Sequence, residues 1–433
     1  MIDKTQKGYL ILLFLFSPFL GLLSIFKIKN EKTLTFFGTL FFGLIGSVYV
    51  YIKGSDGYTH LQIAKEYYLN MSFTDFFEKT YQILTFNSTD GSTDFYLHII
   101  SFVSCSLLQT PELIHVFAGL VLGYFFTKSV LLVLKNNLRV KKSYILLGFI
   151  VLLLSIRSIG ALNSIRMWTG MWVLFYGTYS WVLTKEKKYL FVILLSIFVH
   201  FSYAVIIIPV IASYLLQKRK KILVALYIVS FFTTVSFSFI EPYIPKSKLL
   251  ENKQQYTVID SDKKAERFNE NSIAYQNKMK NVNFYKAFGE TTYVNYSIVG
   301  LTIILLFFYL KKTSDSHLNF LMATGIGLYT FANMVAFSPS LQGRTKTIAA
   351  LFILAAAIHL QLSIKNYRLS KKTVRRLNIG QVSFLISAIP MFLFQLSYII
   401  QNISFFVFMF PQASWLLGDE DYSIRGAIGL LIN

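Results

Sequence analysis

Arg166 and His200 are the residues best placed to do chemistry, because each lies within an apolar run of 162–209, where lipid alone would not tolerate a charge. A charged group at the centre of a bilayer costs about 2.5–3.5 kcal/mol on insertion scales, so both side chains should face protein or water. Guanidinium groups suit an anion: the fork matches phosphate oxygens bidentately, and a low-dielectric wall strengthens the pairing. A lipid-linked diphosphate is such a ligand. Arg157, Asn163 and Arg344 fall near helix ends and join Arg166 as candidate substrate-binding residues. His200, Asp56 and Asp94 are the candidates for moving a proton from a hydroxyl, and Tyr58 and Asp94 join the candidate substrate-binding residues. Each has a plainer reading: Arg166 snorkels to an interface, His200 is a hydrogen-bonded core histidine, and each Asp caps a turn or helix.

Composition sets what must hold these residues. Of 433 residues 54% are hydrophobic and 17% aromatic, against roughly 45–50% apolar in soluble domains. With a mean hydropathy of +0.53, the chain reads as all-α, a polytopic membrane bundle and a single integral membrane domain over 1–433. The net charge of +21 sits in short Lys/Arg clusters between apolar runs, which reports loop topology and gives no nucleic-acid surface. One cysteine, Cys105, excludes an intramolecular disulfide and a Cys-based metal site. No nucleotide-phosphate loop, His-Glu-x-x-His or clustered carboxylate set is present, so motif-based ATPase and metalloprotease readings lack support.

Runs long enough to cross about 30 Å of hydrocarbon occur at 9–26, 34–52, 113–134, 163–183, 222–240, 293–310, 318–337, 345–362 and 379–400. The first lacks a cleavage site and reads as an uncleaved span. Shorter runs at 95–108, 144–156, 189–200 and 202–216 bring the expectation to about 10–13 transmembrane or re-entrant helices, with 95–108 re-entrant or interfacial. Basic turns at 135–142, 185–188, 218–221 and 365–376 belong in the cytoplasm. Because only 28 residues, 189–216, separate two of these turns, the chain must go in and return by two short helices that break near His200-Phe201-Ser202. His200, Arg157, Asn163, Arg166 and Arg344 then all fall on the outer side. Two long external loops follow from the same parity. Loop 53–94 carries an amphipathic helix over 58–77, with Leu61, Ala64, Tyr68 and Met71 on its apolar face. Loop 241–292, with nine basic and seven acidic residues, reads as a lid that is partly helical around 261–279.

The stretch Asn163-Ser164-Ile165-Arg166, a span, a basic turn, then Phe198-Val199-His200-Phe201-Ser202-Tyr203-Ala204, resembles Wzy-type polysaccharide polymerases of the EpsG-like branch. Asp56 with Tyr58 resembles that branch's entry to its first large external loop, and Gly343-Arg344 resembles its later Gly-Arg. Asp94-Phe95-Tyr96 stands where the branch has an acidic-Pro-Gly-aromatic turn, without the Pro and Gly. Arg166-x10-Gly177 also fits a spacing of such polymerases. The resemblance implies an enzyme of the bacterial inner membrane that moves a growing glycan from undecaprenyl diphosphate onto the next lipid-linked repeat unit, forming O-antigen, capsule or exopolysaccharide. It implies no cofactor. Its expected partners are the undecaprenyl-diphosphate-linked oligosaccharide, membrane lipid, and flippase and chain-length regulator proteins. The alternatives are a flippase or transporter for the same lipid-linked oligosaccharide, and an O-antigen ligase. No repeated halves with matching broken helices, as transporters often show, are visible in the sequence.

Overall fold

A helix that is apolar on every side must be covered by other helices or by lipid, and the long helix Pro339–Ser363 meets that requirement by sitting at the centre. Of the apolar window of Pro339–Tyr367, 94% is buried by the rest of the chain. The computed structural model describes residues 4–25, 28, 30–88, 94–134, 143–236, 242, 283–310, 315–367, 369–416 and 422–432. The fold is 82% helical and has no strand among the described residues. Among the described residues five helical stretches are long and apolar enough to cross a membrane: Leu113–Leu134, Tyr144–Thr184, Tyr293–Leu310, Pro339–Tyr367 and Lys371–Asn402.

In order, the helices are α1 (Lys4–Phe16), α2 (Pro18–Ile25), α3 (Glu31–Ser47), α4 (Asp56–Tyr68), α5 (Phe73–Leu84), α6 (Phe95–Ser101), α7 (Leu113–Leu134), α8 (Tyr144–Ser155), α9 (Ile165–Thr184), α10 (Lys188–Val199), α11 (Tyr203–Leu216) and α12 (Lys220–Val229). They continue as α13 (Phe284–Thr292), α14 (Ile298–Leu310), α15 (Ser316–Met334), α16 (Pro339–Ser363), α17 (Lys371–Ser387) and α18 (Ile389–Asn402). A terminal helix, α19 (Ile424–Ile432), closes the chain.

Close packing comes from small residues, as expected where lipid removes the hydrophobic drive between helices. A Cβ on Gly46 of α3 would stand 2.0 Å from the His115 carbonyl oxygen of α7, and one on Gly119 would stand 2.2 Å from the Phe42 carbonyl oxygen. The α3 and α7 backbones are therefore in van der Waals contact. On α9, Gly170 and Gly177 follow Arg166 at i+4 and i+11, on one face. Gly170 accepts the Tyr203 ring of α11, and Gly177 lies against the Ile193 backbone of α10, 2.9 Å from a would-be Cβ. The Arg166-x10-Gly177 spacing thus has a packing reason of its own.

The structure revises several boundaries. Run 9–26 is two helices, because Pro18 cannot donate its N–H to the ladder and starts α2 instead. Run 222–240 stops being helical at Val229. Helix 58–77 is also two: Ser72 and Asp75 form a reciprocal capping box that starts α5, and Met71 falls in the gap. Of its expected apolar face, Leu61, Ala64 and Tyr68 are buried as read. The end of loop 241–292 is helical, since α13 runs through a π-turn, Tyr293–Ser297, into α14. The expected lid at 261–279, the basic turn 135–142 and Lys311–Lys312 lie outside the described residues.

Segment 189–216 forms two short helices, α10 and α11, broken at His200–Ser202. α9 turns at Lys185, in the left-handed region with φ +60°, and α10 packs back along it, returning the chain to the level where α9 began. Run 95–108 is a seven-residue α-helix continued by six residues of π-helix, Phe102–Leu107, shorter than a crossing.

Candidate functional site

The N-terminal ends of α9, α11 and α16 meet at one end of the bundle, where Arg344 has Arg166 and Tyr203 as electrostatic neighbours, and each helix dipole adds a partial positive charge there. Between α8 and α9 the chain makes a 3-10 turn, Ile159–Ser164, that delivers Arg157, Asn163 and Arg166 to this end. Arg157 adopts φ +46°, an uncommon conformation for a side chain of its size. Its guanidinium carbon stands 4.0 Å above the Trp168 ring centre, and its carbonyl accepts the Trp172 indole N–H at 2.9 Å. The strained residue is thereby held from both sides.

Arg166 Nη1 donates to Asp94 Oδ2 in an ion pair whose carboxylate is fully buried, while the arginine side chain stays 25% exposed. The other carboxylate oxygen accepts the Phe201 backbone N–H at 3.1 Å. Asp94 therefore joins the start of α6, the start of α9 and the α10–α11 break. In place of the missing Pro-Gly turn, α6 begins directly at Phe95. Asp94 is committed to positioning Arg166 and Phe201.

His200 is buried, and its Nδ1 accepts the Ser202 backbone N–H at 3.2 Å and lies 2.9 Å from the Ser202 hydroxyl. A backbone N–H can only donate, so the network assigns the neutral ring its proton on Nε2. In that tautomer His200 offers its Nε2 as a donor.

Asp56, the first residue of α4, is exposed, and its carboxylate accepts the Ser164 hydroxyl at 2.5 Å. Asn163 Oδ1 accepts the Gly57 N–H and the Tyr49 hydroxyl, each at 3.1 Å. Asn163 thus clamps the start of α4 to the turn before α9; its amide oxygen is engaged by protein. Arg344, in the second turn of α16, has Arg166, Asp56, Tyr203 and Asp94 as electrostatic neighbours. Arg157 in turn has Arg344 and Tyr398. Three guanidinium groups and two carboxylates share this end, which leaves an anion-seeking balance.

Tyr58 lines a cavity of about 960 Å³ with Lys65, Glu112, Arg425 and Tyr49, the tyrosine that donates to Asn163. His60 is the residue the sequence reading passed over: it is 5% exposed, on the buried face of α4, with Arg166, Asp94, His115 and His200 as electrostatic neighbours. Burial, then Arg166, holds its imidazole well below the ordinary histidine range. Its signal was available, since it falls on the same stripe as Gly57, Leu61 and Ala64. Among the described residues no group of three or more His, Cys, Asp or Glu is arranged to hold a metal ion. Comparison of the chain with protein-family models, curated proteins and solved structures returns no match.

Proposed function

We propose that this chain is a polysaccharide polymerase of the bacterial inner membrane. It transfers a growing glycan from undecaprenyl diphosphate to a lipid-linked repeat unit at the outer face. The observation that carries this reading is the meeting of Arg157, Arg166 and Arg344 with the N-termini of α9 and α16 at one end of an apolar bundle. Such an array favours an anion that carries several oxygens, and a diphosphate attached to lipid can reach it from the bilayer. In this reading the bundle has about 10–13 transmembrane or re-entrant helices, more than the five long stretches, because short helices such as α10 and α11 carry the chain in and back.

Catalysis here is charge stabilisation of a leaving diphosphate. As the glycosidic carbon–oxygen bond breaks, negative charge grows on the diphosphate, and Arg166 and Arg344 stabilise it in a low-dielectric setting. Asp94 keeps the Arg166 fork in register. His200, with its proton on Nε2, serves as a further donor to the same oxygens. Flippase and chain-length regulator proteins are the expected partners in the cell.

The test is polymer length in cells that express Arg166→Lys or Arg344→Lys at normal protein level. Lysine keeps the charge and loses the fork, so each variant should shorten or abolish the polymer. Unchanged polymer in both overturns the reading.

A further inference from the structure

We propose that His60 is the proton acceptor of this site, receiving the proton of the sugar hydroxyl that attacks the donor. The inference rests on the transfer reading above and goes beyond it by naming a base. The other candidates are already engaged. Asp94 is taken by Arg166 and the Phe201 N–H, His200 Nδ1 by the Ser202 N–H, and Asp56 by the Ser164 hydroxyl.

His60 differs from them in one respect. It is 5% exposed, and its Nδ1 is buried without a hydrogen-bond partner. A buried polar atom left unsatisfied costs free energy and calls for an explanation in function. Its placement supplies one. α4 is pinned to the turn before α9 through Gly57–Asn163 and Asp56–Ser164, and His60 follows these residues by one helical turn on the same side. The charged or titratable electrostatic neighbours of His60 are Arg166, Asp94 and His200 from neighbouring elements, with His115 from α7.

Burial and the Arg166 charge both oppose protonation and favour a neutral ring. A bound diphosphate reverses that field. Its negative charges raise the affinity of His60 for a proton at the moment the donor is in place, so the base strengthens only in the loaded site. The acceptor hydroxyl oxygen then forms its bond to the anomeric carbon of the donor glycan, and the hydroxyl proton moves to His60. The carbon–oxygen bond to the diphosphate breaks, its electron pair staying on the diphosphate. His60 returns the proton to the departing diphosphate or to water, and no oxidant or reductant is needed.

The experiment uses the full chain in lipid nanodiscs with inorganic pyrophosphate as probe. Calorimetric titration in two buffers of different ionisation enthalpy, at pH 6 to 7, measures protons taken up per pyrophosphate bound. Wild type should take up a substantial fraction of one proton. His60→Gln should take up markedly less, with affinity within about threefold of wild type, an order-of-magnitude allowance for a residue not assigned to the phosphates. Uptake unchanged in His60→Gln overturns this proposal and leaves the anion site standing. A wild type that does not bind pyrophosphate overturns the anion site and this proposal together. A second readout guards against a misfolded variant: polymer synthesis by His60→Ala should recover with added imidazole and should follow the free-base fraction of the imidazole. Absence of any such recovery in a folded variant that still binds pyrophosphate overturns the proposal.

Discussion

Arg166 and Asp94, 72 residues apart in the chain, form an ion pair with the carboxylate wholly inside the protein and the arginine one-quarter exposed. The Arg166 side chain as a whole keeps a quarter of its surface open. Its Nη1 is what Asp94 fixes. Such a pair is weak evidence for stability in itself, yet removing one partner leaves the other uncompensated.

Asp94→Ala should therefore lower stability by about 3 kcal/mol, the lower end of the range for breaking a buried pair because Arg166 keeps access to water. Adding Arg166→Met to Asp94→Ala should recover part of that loss while polymer synthesis stays absent. Thermal unfolding in detergent, read beside polymer length, checks both. Equal stability of Asp94→Ala and wild type would remove Asp94 from its positioning role.

The two ends of the bundle should face opposite sides of the membrane. With the buried Cys105 first replaced by Ser, a cysteine at exposed Thr59, beside Asp56, should react with an impermeant maleimide in intact spheroplasts. A cysteine at exposed Glu186, in the basic turn after α9, should react only after lysis. The reverse pattern would put the arginine cluster on the cytoplasmic side.

Gly177 meets the α10 backbone, which cannot move aside as a flexible side chain can. Gly177→Ala should cost about 1–3 kcal/mol of stability, the usual range for overpacking, and should disturb the α9–α10 pairing that returns His200 to Arg166. An unchanged unfolding temperature would show that α9 and α10 are not packed this closely.

His60 gives stability a pH dependence of definite sign. In the unfolded chain a histidine takes up its proton as pH falls through about 6.5, whereas folded His60 resists protonation to well below that value. The unfolded state then binds more protons, so stability should decline as pH falls from about 6.5 towards 5. His60→Gln should make that decline shallower, as followed by unfolding temperature at pH 7.5, 6.5 and 5.5. An identical slope in the variant would mean that His60 is not buried in neutral form.

Features set by local spacing were legible in the sequence. The break at His200–Ser202 followed from two basic turns only 28 residues apart, and the structure ends α10 at Val199 and starts α11 at Tyr203. The turn carrying Asn163 to Arg166 was legible for the same reason. Pairings between distant segments were not. Nothing local links Asp94 to Arg166 and Phe201, or Asn163 to Gly57, because those partners are chosen by how α4, α6, α9 and α10 pack. His60 was passed over because one histidine on an apolar stripe reads as core until its neighbours are known. Tyr58 was grouped with Asp56 by the resemblance, although helical residues two apart point about 200° apart, and the structure has Tyr58 lining the cavity of Lys65 and Glu112. The Ser72–Asp75 capping box was readable, but the apolar stripe of 58–77 ran across it and suggested one helix.

The central claim, an anion site built from Arg166 and Arg344, is tested most directly by binding a prenyl diphosphate to the purified chain in nanodiscs. Wild type should bind geranylgeranyl diphosphate at least about tenfold more tightly than the monophosphate, and Arg166→Lys and Arg344→Lys should each lose about tenfold or more of the diphosphate affinity, the scale of a lost charge-assisted fork. Equal affinity for the two lipids, or diphosphate binding unchanged in both variants, would contradict the account.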